Sequence, residues 1–112
     1  MKACPAVKRR FHQLVNMSSD AIRRWSKDPR AKCASYPETR ARLPMLAKLK
    51  AKAGEWNDAD CKYAQRVVSF NSRHIGQMKR FGCTVREVVA LRNWAHNPKC
   101  PEPPKTCTPR KR

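Results

Sequence analysis

The sequence predicts an all-α domain of about five helices, a compact orthogonal bundle with a helix-turn-helix-like corner and an extended Pro-rich basic C-terminal tail. Three observations carry this. Apolar residues recur at three- and four-residue spacing between breakers, and no run alternates as a strand would. Capping residues with nearby acids open several of these segments. Five of the nine prolines lie from Pro98 onward, where neither helix nor central strand can form. The division expected is an irregular lead-in over 1–6, a helical domain over 7–97 and the tail over 98–112.

In the first segment, Val7, Phe11, Leu14 and Val15 share one helical face, and Lys8, Arg9 and Arg10 lie opposite. A break at Asn16–Met17 follows. Ser18 or Ser19 caps the second helix, Asp20 suits its positive end, and Ile22 and Trp25 turn inward while Arg23 and Arg24 turn out. "DPR" at 28–30 stops it, and 29–36 reads as loop. Pro37 fits a first helical residue. The next helix carries Leu43, Leu46 and either Leu49 or Ala47 inward, and Arg40, Arg42, Lys48, Lys50 and Lys52 on a wide basic face. Pro44 imposes a kink or a fresh start, and Gly54 a stop. The longest helix opens at Asn57 with Asp58 and Asp60. It keeps Ala64, Val67, Val68, Asn71, Ile75 and Met78 in helical register, places Lys79 and Arg80 at its negative end, and stops at Gly82. Thr84 and Glu87 form a capping box for the last helix, which runs to about Ala95 before Asn97–Pro98 ends it.

Charge is the strongest functional signal. The chain has 112 residues, enough for one domain, with 26 Lys plus Arg against 8 Asp plus Glu, a net of +18. Residues 1–56 hold 14 cations and 4 anions, and residues 57–112 hold 12 and 4. A field spread this evenly attracts polyanions through the whole domain. No apolar run is long enough to span a membrane, so no membrane insertion is expected. The first residues carry charge where a secretory signal would be apolar, so the expected location is a virion or an intracellular nucleoprotein, not secreted. Six cysteines show no C-x-x-C pair. Reduced thiols are the expectation in such a setting, with Cys61 and Cys83 as core filler and Cys4, Cys100 and Cys107 open to cross-linking in an oxidised particle.

The stretch "RFGCTVREVVALRNW" raises the question of base reading. With Gly82 as the turn, Phe81 and Cys83 flank it as buried residues, and Val85, Val88 and Leu91 face the preceding helix. Arg86, Arg92 and Asn93 would then face DNA, Arg toward guanine and Asn toward adenine. Met78 and Gln77 fit poorly where close helix approach needs small or apolar residues. A plain helical corner needs the same Gly and the same spacing. The remaining cations suit phosphate contact, which needs charge without base geometry. The candidates are Arg9, Arg10, Arg23, Arg24, Lys48, Lys50, Lys52, Lys79, Arg80, Arg86, Arg92, Arg110, Lys111 and Arg112. Neutralising about six phosphates would lower affinity about a thousandfold between roughly 50 and 200 mM salt. Trp25, Trp56 and Trp94 offer stacking surfaces, although Trp25 reads as core and Trp56 as a packed staple. The one partial metal pattern, Cys83, His96, Cys100 and Cys107, lacks a tight ligand pair, so no metal and no cofactor are expected. With few acids and no Gly-rich phosphate loop, neither an enzyme nor a small-molecule substrate is expected.

At "FHQLVNMSSDAIRRW" and "ALRNWAHNP" the sequence resembles a small uncharacterised bacterial family whose members often carry a DNA-binding label. The shared pattern runs from Phe11–His12 through the Val15–Asn16–Met17 break to Trp25, then Arg66–Val67–Val68, and closes with Asn93 to Pro98. It covers about residues 7–98 and brings no catalytic or binding residues. The extreme charge, the six cysteines and the Pro-rich tail depart from it. The expected function is a non-enzymatic structural protein of a nucleoprotein assembly such as a virus particle, a minor capsid or core component. It would contact DNA phosphates or acidic protein surfaces and other subunits. The alternative is a sequence-specific helix-turn-helix regulator.

Overall fold

Local capping chemistry sets the helix boundaries. In the computed structural model, which describes residues 4–33 and 41–103, five α-helices appear and no strand forms among the described residues. Helix α1 spans Cys4–Leu14. It begins inside the expected lead-in because Pro5 sits in its first turn, where a missing N–H costs nothing. Helix α2, Ser19–Ser26, is capped by Ser18, whose hydroxyl accepts from the Ala21 amide at 3.1 Å. A 3-10 helix, Pro29–Cys33, replaces the expected loop. Asp28 starts it by accepting from the Arg30 amide at 2.9 Å through its carboxylate. The Pro37 start and Arg40 lie outside the described residues.

Helix α3, Leu43–Ala51, carries Pro44 in its first turn, so the proline marks a fresh start. Helix α4, Asp58–Phe81, is the longest, opened by a reciprocal Asn57–Asp60 capping box and closed by Gly82 at φ +89°. That angle is strained for any residue with a Cβ. Helix α5, Val85–Arg92, is capped by the Thr84 hydroxyl, which accepts from the Glu87 amide at 3.1 Å. The Glu87 carboxylate turns away to His74 of α4, so the expected capping box is half made. The helix ends before Ala95, which takes φ +66° with its methyl fully buried.

The core sits where α1 crosses α4 and α2 meets α3. Phe11, Val15, Ile22, Leu43, Leu46, Val67 and Val89 are buried there, with Trp25 and Ala31. Those within the α-helices lie on the apolar stripe that helical spacing requires, while Val15 follows the end of α1 and Ala31 sits in the 3-10 helix. The corner at Gly82 departs from expectation. Val88 and Leu91 are buried, but Phe81 is 69% exposed, Val85 is 38% exposed, and Cys83 lies at the surface. The outer half of the corner therefore does not pack.

Among the described residues, two disulfides overturn the expectation of reduced thiols. Cys4 joins Cys61, tying the first turn of α1 to the first turn of α4, and Cys83 joins Cys100. From their loop lengths they contribute about 4 and about 3 kcal/mol through chain entropy. The second bond, with its neighbours, makes the first residues of the expected tail part of the fold. Asn16 and Asn97 exchange two hydrogen bonds at 3.0 and 2.7 Å. His96 Nδ1 donates to the Leu14 carbonyl at 2.6 Å, and Pro98 and Pro103 are buried. Residues 104–112, with Cys107, Arg110, Lys111 and Arg112, lie outside the described residues.

Candidate nucleic-acid interface

The proposed reading residues of α5 are structural. Arg92 is 6% exposed, and its guanidinium donates to both Glu102 carboxylate oxygens at 2.8 and 3.2 Å and to Asn97 Oδ1 at 3.1 Å. Arg30 also reaches Glu102, at 3.0 Å, and both guanidiniums lie over the Trp25 ring, at 5.3 and 5.0 Å from its centroid. The two arginines hold the Glu102 carboxyl below its ordinary range, Arg92 having the larger effect. Asn93 is 2% exposed; it accepts from Trp25 Nε1 at 2.8 Å and donates to the Ala31 carbonyl at 3.0 Å. Arg92 is therefore withdrawn as a phosphate contact, and Asn93 as a base contact. A buried side chain whose donors and acceptors are already paired has nothing to offer a base or a phosphate.

Other nominated cations divide in the same way. Lys50 is half-buried and donates to the Val15 carbonyl at 2.7 Å, and burial lowers its pKa. Lys52 is paired with Asp60 at 2.6 Å. Both cap or brace the fold, which removes Lys50 from the solvent-facing set. Arg9, Arg10, Arg23, Arg24, Lys48, Lys79, Arg80 and Arg86 are exposed, as expected. They lie on five helices and the structure does not gather them into one site. Arg23, Lys48 and Lys52 do line one open groove, of about 550 Å³, with Leu49, Tyr63 and the half-exposed Met45, but Asp60 lines it too and holds Lys52, and Arg23 is paired with Asp20 at 3.7 Å. The metal pattern fails outright. Cys83 and Cys100 are bonded to each other, and His96 Nδ1 is engaged with backbone. A disulfide sulfur is no thiolate ligand.

The structure assembles a different basic face, on α4. Lys62, Arg66, Arg73 and Arg80 are all exposed. At 100° per residue, seven residues return to within about 20° of the same direction, which aligns Arg66, Arg73 and Arg80, and Lys62, four residues before Arg66, lies about 40° from it, so the four cations form one stripe. From Lys62 to Arg80 it runs about 27 Å, with neighbouring arginines about 10.5 Å apart. The sequence from Cys61 to Arg86 contains no Asp or Glu. Among the described residues none of these four cations is in an ion pair within 4.0 Å. Arg66 and Arg73 were legible in the sequence through their seven-residue spacing, and Lys62 through its place in the same acid-free run.

Aromatic rings stand beside this stripe. Phe70 stacks on Trp94 of the α5 exit at 4.4 Å between centroids and 17° between planes, and on His74 at 4.0 Å and 23°. Two near-parallel rings this close cannot share one face, so Phe70 is sandwiched between them. Glu87 fixes His74, and Asn71 Nδ2 donates to the Trp94 carbonyl at 3.1 Å. Beside the stack is an open pocket of about 360 Å³, lined by Gln65, Arg66, Ser69, Phe70, Arg73 and Trp94. No helix is long and apolar enough to cross a membrane among the described residues. No family model, curated protein or solved structure matches this chain.

Proposed function

We propose that this is a non-enzymatic, strongly basic structural protein of a nucleoprotein assembly such as a virus particle. It grips the phosphate backbone of nucleic acid through the outer face of α4. The observation that carries this reading is the stripe Lys62–Arg66–Arg73–Arg80, exposed and without a carboxylate partner among the described residues. Phosphate contacts need reachable charge and no base geometry, and this face offers them. The two disulfides suit a particle that leaves the reducing cytosol. The helix-turn-helix regulator is the weaker reading, since Arg92 and Asn93 are already paired inside the fold and Phe81 stands in solvent.

The test is binding of a labelled duplex by the purified, oxidised protein against salt, with heparin and scrambled duplexes as competitors. Four phosphates neutralised by the stripe give a log–log slope of at least about −3.6, an affinity loss of about 150-fold between roughly 50 and 200 mM salt. No binding near 50 mM sinks the proposal, and strong preference for one duplex would establish the regulator instead.

A further inference from the structure

We infer that the pocket between Arg66 and Arg73 receives an unpaired nucleobase against Trp94, so that the α4 face prefers single-stranded nucleic acid. The inference rests on the phosphate-binding reading and adds the chemistry of the strand it selects.

Three features of the molecule converge on this pocket. Its size, about 360 Å³, falls within the roughly 300–1,000 Å³ of small-molecule sites. Its walls combine an aromatic surface with the amide of Gln65 and the hydroxyl of Ser69, groups able to pair with a base edge. Its two arginines are successive members of the phosphate stripe, about 10.5 Å apart, so a strand following the stripe passes directly over the opening. Because His74 and Trp94 cover both faces of Phe70, the ring that the pocket offers to a base is that of Trp94, which lines it and is half-buried. Arg73 lies 6.0 Å from the Phe70 centroid, at the edge of the same stack. A paired base inside a duplex presents only its edges and cannot enter a stack. An unpaired base can, and any base has the π-face required. The site therefore selects strand state and not sequence.

The test separates bases from phosphates. The full-length oxidised protein is titrated with a labelled oligothymidylate, an abasic strand of equal length and charge, and a duplex of the same length. Phosphate contacts alone bind both single strands equally and favour the duplex, which has twice their charge density. Stacking of even one base makes the oligothymidylate bind at least about fivefold tighter than the abasic strand. Trp94→Leu should erase that ratio without changing the salt slope. Ser69→Leu, at an exposed position of α4, crowds the pocket without touching the core, and should erase it too. Equal binding of the base-bearing and abasic strands overturns the inference while leaving the phosphate-binding reading intact. Failure of all three ligands to bind near 50 mM salt overturns both.

Discussion

Asn93→Ala separates a reading head from a core helix. Asn93 accepts from the buried Trp25 indole N–H at 2.8 Å and donates to the Ala31 carbonyl at 3.0 Å. Alanine leaves the Trp25 donor, on a residue 5% exposed, with no acceptor in place. A buried unsatisfied donor costs about 1–3 kcal/mol, and losing the second bond adds about 0.5–1.5 kcal/mol. The sum, about 1.5–4.5 kcal/mol, is a large part of the stability of a domain this size. With a urea m-value of about 2 kcal/mol/M, the unfolding midpoint falls by about 1–2 M. Urea unfolding followed by tryptophan fluorescence, with disulfides intact, measures it directly. Folded variant should bind duplex with unchanged sequence preference and salt slope. A midpoint within about 0.3 M of the parent, accompanied by lost preference for one duplex, would refute the placement of Asn93 and restore it as a base reader.

Three further outcomes are expected. Arg66→Gln, Arg73→Gln and Arg80→Gln together leave one stripe cation, so the duplex salt slope shrinks by about 2.7, and anisotropy titrations at several salt concentrations report it. The Cys83→Ser, Cys100→Ser pair loses up to about 3 kcal/mol of loop-closure stabilisation, read as a lower urea midpoint, whereas Cys4→Ser, Cys61→Ser loses up to about 4 kcal/mol. Stability falls with acid in two stages. Desolvation, then the charges of Lys50 and Lys8, lower the His12 pKa from 6.5, so the neutral form is favoured in the fold and stability is lost as pH drops below about 6.5. Glu102, lowered from 4.5 by Arg92 and Arg30, and Asp28, lowered from 3.8 by Arg30, add a second loss as pH falls below about 4.5. Urea midpoints across pH 3–8 should show both stages, and His12→Gln should remove the first.

Helix starts were legible because the chemistry that makes them is local. Ser18, Asn57 and Thr84 cap where their spacing to the following residues places them. The buried stripes were legible for the same reason: Leu43 and Leu46 need only helical periodicity, and the structure buries both Leu49 and Ala47, the two alternatives for the next position. What was hidden depends on distant chain. Nothing near Arg92 announces that Glu102 and Trp25 will close over it, and nothing near Asn93 announces the Trp25 indole. Periodicity places Phe81 and Val85 at a corner but does not supply the element that would cover them. Cysteine spacing likewise carries no pairing, because Cys4 and Cys61 meet only once α1 lies on α4. The basic face of α4 was readable, but adjacent pairs such as Arg9–Arg10 are conspicuous and residues seven apart are not. Adjacent residues point about 100° apart on a helix, whereas residues seven apart point almost together.

The Cys4–Cys61 bond also constrains how the molecule comes to be made. Six cysteines can be joined completely in fifteen ways, and only one of these arrangements contains both Cys4–Cys61 and Cys83–Cys100. The sulfurs themselves cannot choose among them. Selection comes from the packing of α1 on α4, where Phe11 and Val67 are buried and Cys4 is brought to Cys61. The bonds then hold the fold that brings their sulfurs together. A chain oxidised while unfolded would distribute its sulfurs among the wrong partners, and recovery would require a reshuffling thiol rather than a change of solvent.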